Sequence, residues 1–291
     1  MKRLILFLAT NLAILMALSL VTNVLIAFFG VDVAKIIGAE YAHLAIFAVV
    51  YGFLGSIISL LLSKPIAKFF CGAVTIDGSE GEAERWLVST VEDLARRANI
   101  STPEVAIYEG SANAFATGAF KNSALVAVSS DIMRQMTKEE LRAVLGHEIS
   151  HVANGDMVTL TLIQGVLNTF VLFFSRAAAS ILSGGDRRKN NYLAFVIISL
   201  VLQFVLGLFA AIIVCAFSRR REYAADSGSA KLLGTPQPMI NALRRLCNLE
   251  PGVLPDSLKA FGIAEGRKTS LFSTHPSLEN RIEALQNWTG I

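Results

Sequence analysis

The 291-residue chain is 53% hydrophobic and only 17% charged, and its mean hydropathy of +0.54 excludes an ordinary water-soluble globular protein. Its net charge of +3 is small, and its basic residues lie at the borders of apolar runs without aromatic residues between them, which argues against a nucleic-acid partner. The three cysteines form no Cys-x-x-Cys pair, so the sequence predicts reduced, structural thiols.

Four uncharged runs are each long enough to cross about 30 Å of hydrocarbon as a helix. They cover residues 4–31, 44–63, 157–175 and 190–218. The first run is much longer than the apolar part of a signal peptide, so it is interpreted as an uncleaved anchor. The sequence therefore predicts four transmembrane helices. The alternative is that the last two form a hairpin that does not fully cross.

Basic residues set the predicted orientation. They precede the first run at Lys2 and Arg3, follow the second at Lys64 and Lys68, and follow the fourth at 219–221. This bias places both termini in the cytoplasm, although the loop "SGGDRRKNN" after the third run carries three bases and argues against it.

The soluble segment 69–156 mixes helix and strand patterns. The stretch "EAERWLVSTVEDLARRANI" has the periodicity of an amphipathic helix, and "EVAIYEG" and "SALVAVSS" are typical of short strands. The next stretch, "MTKEELRAVLGHEISHVANGD", begins with a capping box of Thr137 and Glu140 and meets a stop signal at Asn154 and Gly155. The sequence therefore predicts a helix with defined ends around the central "HEISH".

That helix carries a metal-binding pattern. His147 and His151, two of only four histidines in the chain, are one turn apart on one helix face, and Glu148 lies about 100° round. This H-E-x-x-H pattern predicts a zinc site in which Glu148 acts as the general base of peptide hydrolysis. The alternative is a helix with two ordinary histidines, which the position of Glu148 and the helix caps disfavour.

A catalytic zinc site needs a third protein ligand. Asn154 and Met157 stand where a metzincin needs glycine and histidine, so that class is excluded. The segment "SRRREYAADSGSAKLL" offers Glu222 with Asp226 one turn later. We assign Glu222 as the ligand and Asp226 as the acceptor for the free N–H of a ligating histidine. The alternative is two charges on a solvated helix face. The hairpin 157–218 would return Glu222 to the side of the membrane where His151 lies.

Several segments together resemble one family. These are "HEISHVANGDMVTLTLIQGVLNTFV", "NAFATG", "REYAAD" and "STHPSLENRIEAL", spaced around the apolar runs. The chain resembles the bacterial HtpX heat-shock membrane zinc metalloproteases, distant relatives of the CAAX prenyl endopeptidases, over nearly its whole length. The resemblance implies a gluzincin-type core, one Zn²⁺ per chain and a site facing the cytoplasm of the bacterial inner membrane. It also implies clearance of misfolded or damaged membrane proteins, in cooperation with other quality-control proteases.

The resemblance also suggests roles for residues that spacing leaves open. Asn113 and Ala114 would lie on the edge strand that pairs with extended substrate, where the alternative is an ordinary turn. His275 would stabilise the developing oxyanion, with Arg281 nearby as a substrate-binding residue, where the alternative for His275 is a capping residue.

The expected fold is a membrane protein, mainly α with a small α+β part, that combines four transmembrane helices with a gluzincin-like zinc-peptidase domain built from two segments. The expected parts are a membrane pair in 1–68, a cytoplasmic catalytic segment in 69–156, a hairpin in 157–218 and a second catalytic segment in 219–291. The expected function is a zinc endopeptidase acting on membrane proteins. A prenyl-protein endopeptidase of the CAAX type and a non-proteolytic, zinc-stabilised scaffold are the alternatives.

Overall fold

The fold was analysed in a computed structural model that describes residues 39–183, 191–248 and 271–290. The predicted first apolar run, 4–31, lies outside these residues. The helices are α1 (Ala39–Cys71), α2 (Glu82–Arg97), α3 (Ser130–Gln135), α4 (Lys138–Asn154), α5 (Asp156–Leu182), α6 (Tyr192–Leu233), α7 (Gln237–Asn248) and α8 (Leu278–Gln286). The strands are β1 (Val74–Ile76), β2 (Glu104–Tyr108), β3 (Ala114–Thr117) and β4 (Leu125–Ser129).

Three of the described helices are long and apolar enough to cross a membrane: Phe47–Cys71 within α1, α5 and α6. They overlap the second, third and fourth predicted runs. Helix α6 extends past Ser218, where the fourth apolar run ends, and continues unbroken to Leu233, so that it is 42 residues long. The added residues are mostly good helix formers, and the helix ends only where Gly234 adopts a left-handed backbone with φ 78°.

The chain divides into two compact units. In the first, which includes Thr161–Ile213 and residues up to Ile58, α1 and α5 pack closely. A Cβ atom on Gly52 would lie only 2.5 Å from Oγ1 of Thr169, so glycine is needed at this crossing. Asn168 donates a hydrogen bond to Ser56 across the same pair of helices, and Gln164 donates to Asn168. Polar residues of α5 therefore serve helix–helix hydrogen bonding here.

The second unit combines Ser59–Leu160 with residues from Val214 onward and contains a four-stranded sheet of order β1-β2-β4-β3. The central strands β2 and β4 are parallel, and both outer pairs are antiparallel. Alternate side chains of β4 enter two different clusters, so both faces of the sheet are covered. One face packs against α2 and α4, and the other against Ala67 at the end of α1. Within the described residues, β3 is an outer strand of the sheet.

Helix α4 has the ends that the sequence predicts. The hydroxyl of Thr137 accepts a hydrogen bond from the Glu140 backbone, and the Glu140 carboxylate accepts one from the Thr137 backbone, which completes the capping box. At the other end Gly155 adopts a left-handed backbone with φ 69° and closes the helix. Helix α5 starts at the next residue, Asp156, so the buried helix α4 leads directly into an apolar helix.

Candidate metal centre

The two histidines of α4 face each other inside the second unit. Nε2 of His147 lies 3.0 Å from Nε2 of His151, and both side chains are buried. One helical turn separates the two residues, so their rings leave the same helix face, as the four-residue spacing predicts. Two imidazole nitrogens at this distance on a buried surface are suited to share a metal ion.

Glu222 of α6 completes the cluster. Its Oε1 lies 3.3 Å from Nε2 of His151, and its Oε2 lies 3.4 Å from Nε2 of His147. These separations match the ~3.3 Å between ligand atoms of a tetrahedral ion bound at ~2.0–2.1 Å. Among the described residues, His147, His151 and Glu222 are the group whose ligand atoms converge in this way. Two imidazoles and a carboxylate are a donor set that fits a catalytic metal.

Small residues allow α4 and α6 to approach closely enough for this geometry. A Cβ atom on Gly228 would lie 2.7 Å from Cβ of Ser150, and one on Gly146 would lie 2.9 Å from Oγ of Ser229. The hydroxyl of Ser229 also donates to the backbone oxygen of Ala143. This contact was not predicted from the sequence, although its signal is visible there: Gly146 and Ser150 lie beside the two histidines, and Gly228 and Ser229 follow Asp226.

The close approach predicts that Gly228→Ala weakens metal binding. The added methyl group must push α6 away from Ser150, which displaces Glu222 by part of an ångström. Gly207→Ala is the matched control, since it makes the same substitution on the same helix where a Cβ atom meets nothing within 4 Å. Zinc affinity of the two purified variants is the measurement, and equal affinities would contradict the prediction.

A carboxylate and a guanidinium lie at the Nδ1 edge of the His147 ring, opposite the Nε2 that faces Glu222. Oδ1 of Asp226 is 2.9 Å from Nδ1 of His147, the position predicted for Asp226. Arg281 of α8 donates to both oxygens of Asp226, from Nε at 2.8 Å and from Nη2 at 2.7 Å, and its side chain is 0% exposed. Arg281 therefore fixes Asp226, and its Nη1 also lies 3.5 Å from Oε2 of Glu222. The substrate-binding role expected for Arg281 stays a prediction.

His275 lies at the ligand cluster itself. Its Nδ1 is 2.8 Å from Oε2 of Glu222, and its ring is buried. The preceding backbone is held by α6, where Arg219 donates to the carbonyl of Ser273. The cap of α8 is Ser277, whose hydroxyl accepts from a backbone N–H, so His275 is not the capping residue. The oxyanion role of His275 stays a prediction.

Glu148 is buried between the metal ligands and strand β3. Burial raises the pKa of its carboxyl group, and the nearby His147 and His151 oppose this shift. The backbone of Ala116 in β3 donates a hydrogen bond to the same carboxylate. Glu148 is therefore in reach of both the metal position and the outer strand, where a general base for a peptide on that strand would lie.

The predicted substrate residues begin this outer strand. Ala114 is the first residue of β3, so it is part of a strand and not of a turn. Asn113 accepts at its backbone oxygen from Ser129, and its side-chain oxygen accepts from the N–H of Ala114. Both side chains are buried. Any backbone contact with substrate at this end of the strand would therefore come from Ala114, because the backbone N–H and carbonyl of Asn113 are both paired with Ser129.

A metal-binding H-E-x-x-H helix, a carboxylate from a later helix and a buried glutamate beside the first histidine together define a metallopeptidase, here built on helices able to cross a membrane. The model of peptidase family M48 matches residues 82–289. The chain belongs to peptidase family M48 and is an integral membrane metalloprotease.

Relatives named "Protease HtpX homolog" align over nearly the whole chain. The protein of Janthinobacterium sp. (strain Marseille) is 50% identical over 99% of each chain, and that of Bordetella petrii is 52% identical over 99% of each chain. Among solved structures, the crystal structure of S. mikatae Ste24p covers 97% of this chain and 67% of its own, with a TM-score of 0.62 at 18% identity. The predicted family resemblance is confirmed, and the fold is shared with Ste24p.

Proposed function

We propose that the chain is a zinc-dependent endopeptidase of the bacterial inner membrane that hydrolyses peptide bonds of misfolded or damaged membrane proteins. The observation that carries this proposal is the convergence of His147, His151 and Glu222 on one point, with Glu148 beside it. A structural zinc site usually has four protein ligands and has no need of a general base. The arrangement therefore supports catalysis over a scaffold.

Each side chain has a defined task in this proposal. Bound zinc would supply Lewis-acid polarisation of a carbonyl and of water. Glu148 accepts the proton of the attacking water and delivers it to the nitrogen of the leaving amine. Burial raises the pKa of Glu148, which strengthens it as a base, and the positive charge of bound zinc would oppose this rise. His275, beside Glu222, is proposed to stabilise the developing oxyanion.

Substrate is proposed to pair with β3 as an added strand. In an antiparallel pair the backbone groups alternate between the partner strand and the free edge. Asn113 directs its carbonyl to Ser129 on the β4 side, so the backbone groups of Ala114 and Ala116 point to the outer edge. Their N–H groups donate to the Asn113 side chain and to Glu148, so their carbonyl oxygens are the groups proposed to accept from substrate. The Ala116 backbone contact with Glu148 supports this assignment. Backbone pairing gives affinity with little sequence selectivity, which suits damaged proteins as substrates.

We also propose how the chain is arranged in the membrane. The run 4–31 would add a fourth transmembrane helix to the three described apolar helices, and the basic residues beside 44–63 and 190–218 support a cytoplasmic active site. The gluzincin-type core would combine segments 69–156 and 219–291. Protein substrates, lipid and other quality-control proteases are the proposed partners.

Metal removal tests the proposal. Detergent-purified protein is expected to cleave an unfolded test protein, to lose cleavage when a chelator removes its metal, and to regain it with zinc but not with magnesium, since imidazole ligands suit zinc. Full cleavage by metal-depleted protein would contradict the proposal. Cleavage restricted to prenylated peptides would favour the CAAX alternative, and zinc binding without cleavage of any membrane or unfolded protein would favour the scaffold.

A further inference from the structure

A carboxylate also lies behind the second histidine. Oδ2 of Asp156 is 2.6 Å from Nδ1 of His151, on the ring edge opposite the Nε2 that faces Glu222. The other oxygen of Asp156 is 3.2 Å from Nε of Arg221. Asp156 is buried, and the Arg221 side chain is 15% exposed. His151, Asp156 and Arg221 thus form a chain of polar contacts that the sequence analysis does not single out.

This chain parallels the one behind His147, where Asp226 contacts the ring and Arg281 holds Asp226. An ionised carboxylate only accepts hydrogen bonds, so Nδ1 of His151 donates to Asp156 and Nε2 keeps its lone pair for a metal. A ring held in this tautomer and orientation is a stronger and better-aimed ligand.

We propose that Asp156 and Arg221 are positioning residues of the metal centre. Asp156 holds the His151 ring in the tautomer and direction that present Nε2 to the metal, and Arg221 holds Asp156. The inference rests on the proposed function in one respect, namely that His147, His151 and Glu222 bind zinc. It assigns to these two side chains a task that acts through His151 and not through substrate.

Asp156 and Arg221 belong to two different helices. Asp156 is the first residue of α5, and Arg221 precedes Glu222 within α6, so both hairpin helices hold a ligand that belongs to α4. Both helices also contain apolar spans. The direction of His151 therefore depends on the placement of α5 and α6 at these residues, and not on α4 alone.

A purely structural explanation of Asp156 is that an acidic residue in the first turn stabilises the start of α5. The substitution Asp156→Asn separates the two explanations. Asparagine lacks the negative charge that favours a helix start, and its neutral amide also holds an imidazole N–H less strongly than a carboxylate does, so the two roles differ in what their loss lowers: stability for the first, zinc affinity for the second. A helix-start role leaves metal affinity unchanged in this variant, whereas a positioning role does not.

The test measures zinc affinity of the full-length protein in detergent by competition with a chromophoric chelator. Asp156→Asn is expected to weaken zinc binding by about 10- to 100-fold. Arg221→Gln is expected to weaken it less, and the double variant is expected to be no weaker than Asp156→Asn, because Arg221 acts through Asp156. The absorption bands of bound Co²⁺ are expected to shift in Asp156→Asn. Arg220→Gln, on the exposed neighbour of Arg221, is the matched control.

Wild-type zinc affinity and an unchanged cobalt spectrum in Asp156→Asn would overturn the inference. A lower unfolding temperature of metal-free Asp156→Asn, with wild-type zinc affinity, would also overturn it, since that pattern belongs to a helix-start role. Should Asp156→Asn fail to fold, Arg221→Gln decides alone: an affinity equal to that of Arg220→Gln overturns the inference, and a weaker one supports it. Absence of zinc binding by the wild-type protein is a different result, because it overturns the proposed function.

Discussion

Glu148→Gln is expected to abolish measurable proteolysis while zinc content stays at the wild-type level. Glutamine has nearly the shape of glutamate but cannot accept and return a proton, and loss of a general base typically costs about 10²- to 10⁴-fold in rate. His147, His151 and Glu222 remain in place, so the metal ligands are intact. The measurement is cleavage of an unfolded protein together with zinc analysis of the same samples.

The matched control is Glu139→Gln, which makes the same substitution on an exposed residue in the first turn of α4. It is expected to keep wild-type cleavage. Wild-type cleavage by Glu148→Gln would contradict the assignment of the general base. Loss of zinc from Glu148→Gln would show instead that Glu148 supports the ligands, in which case the low activity would say nothing of proton transfer.

Arg281→Met is expected to lower the free energy of unfolding by about 3–5 kcal/mol, because it leaves the buried carboxylate of Asp226 without its cation. Arg281 is fully buried and donates twice to Asp226, which in turn holds His147. The variant is therefore also expected to bind zinc more weakly. Unfolding by denaturant in detergent, on metal-free and on zinc-loaded protein, separates the two effects.

Arg245→Met is the matched control for this variant. Its guanidinium lies 3.5 Å from Glu140 in a pair whose arginine side chain is 45% exposed, and such exposed pairs contribute about 0–1 kcal/mol. Equal losses of stability in Arg281→Met and Arg245→Met would contradict the buried-pair explanation. A stable Arg281→Met that binds zinc normally but cleaves poorly would support the substrate-binding role predicted for Arg281.

The sequence allows prediction of the metal helix because the information is local. Thr137 and Glu140 cap the helix, Gly155 ends it, and four residues separate His147 from His151, so one helix suffices to bring both rings together. The apolar runs 44–63, 157–175 and 190–218 are local signals in the same sense, and described helices overlap each of them. The basic residues 219–221 mark a membrane border, but no helix stop follows them before Gly234, so the end of the apolar run does not give the end of α6.

By itself, the sequence determined the membrane class of the protein, the capped H-E-x-x-H helix and the Glu222–Asp226 pair, because each is encoded in composition or in spacing along one helix. Only the tertiary structure decided which histidine Asp226 contacts and which residue holds Asp226. Asp226 is 79 residues from His147 and Arg281 is 134, and such contacts depend on how helices pack. Asp156 is only five residues from His151, and the turn between α4 and α5 brings the two side chains together. Buried charges need partners at hydrogen-bonding distance, and those partners are fixed only when the chain has folded.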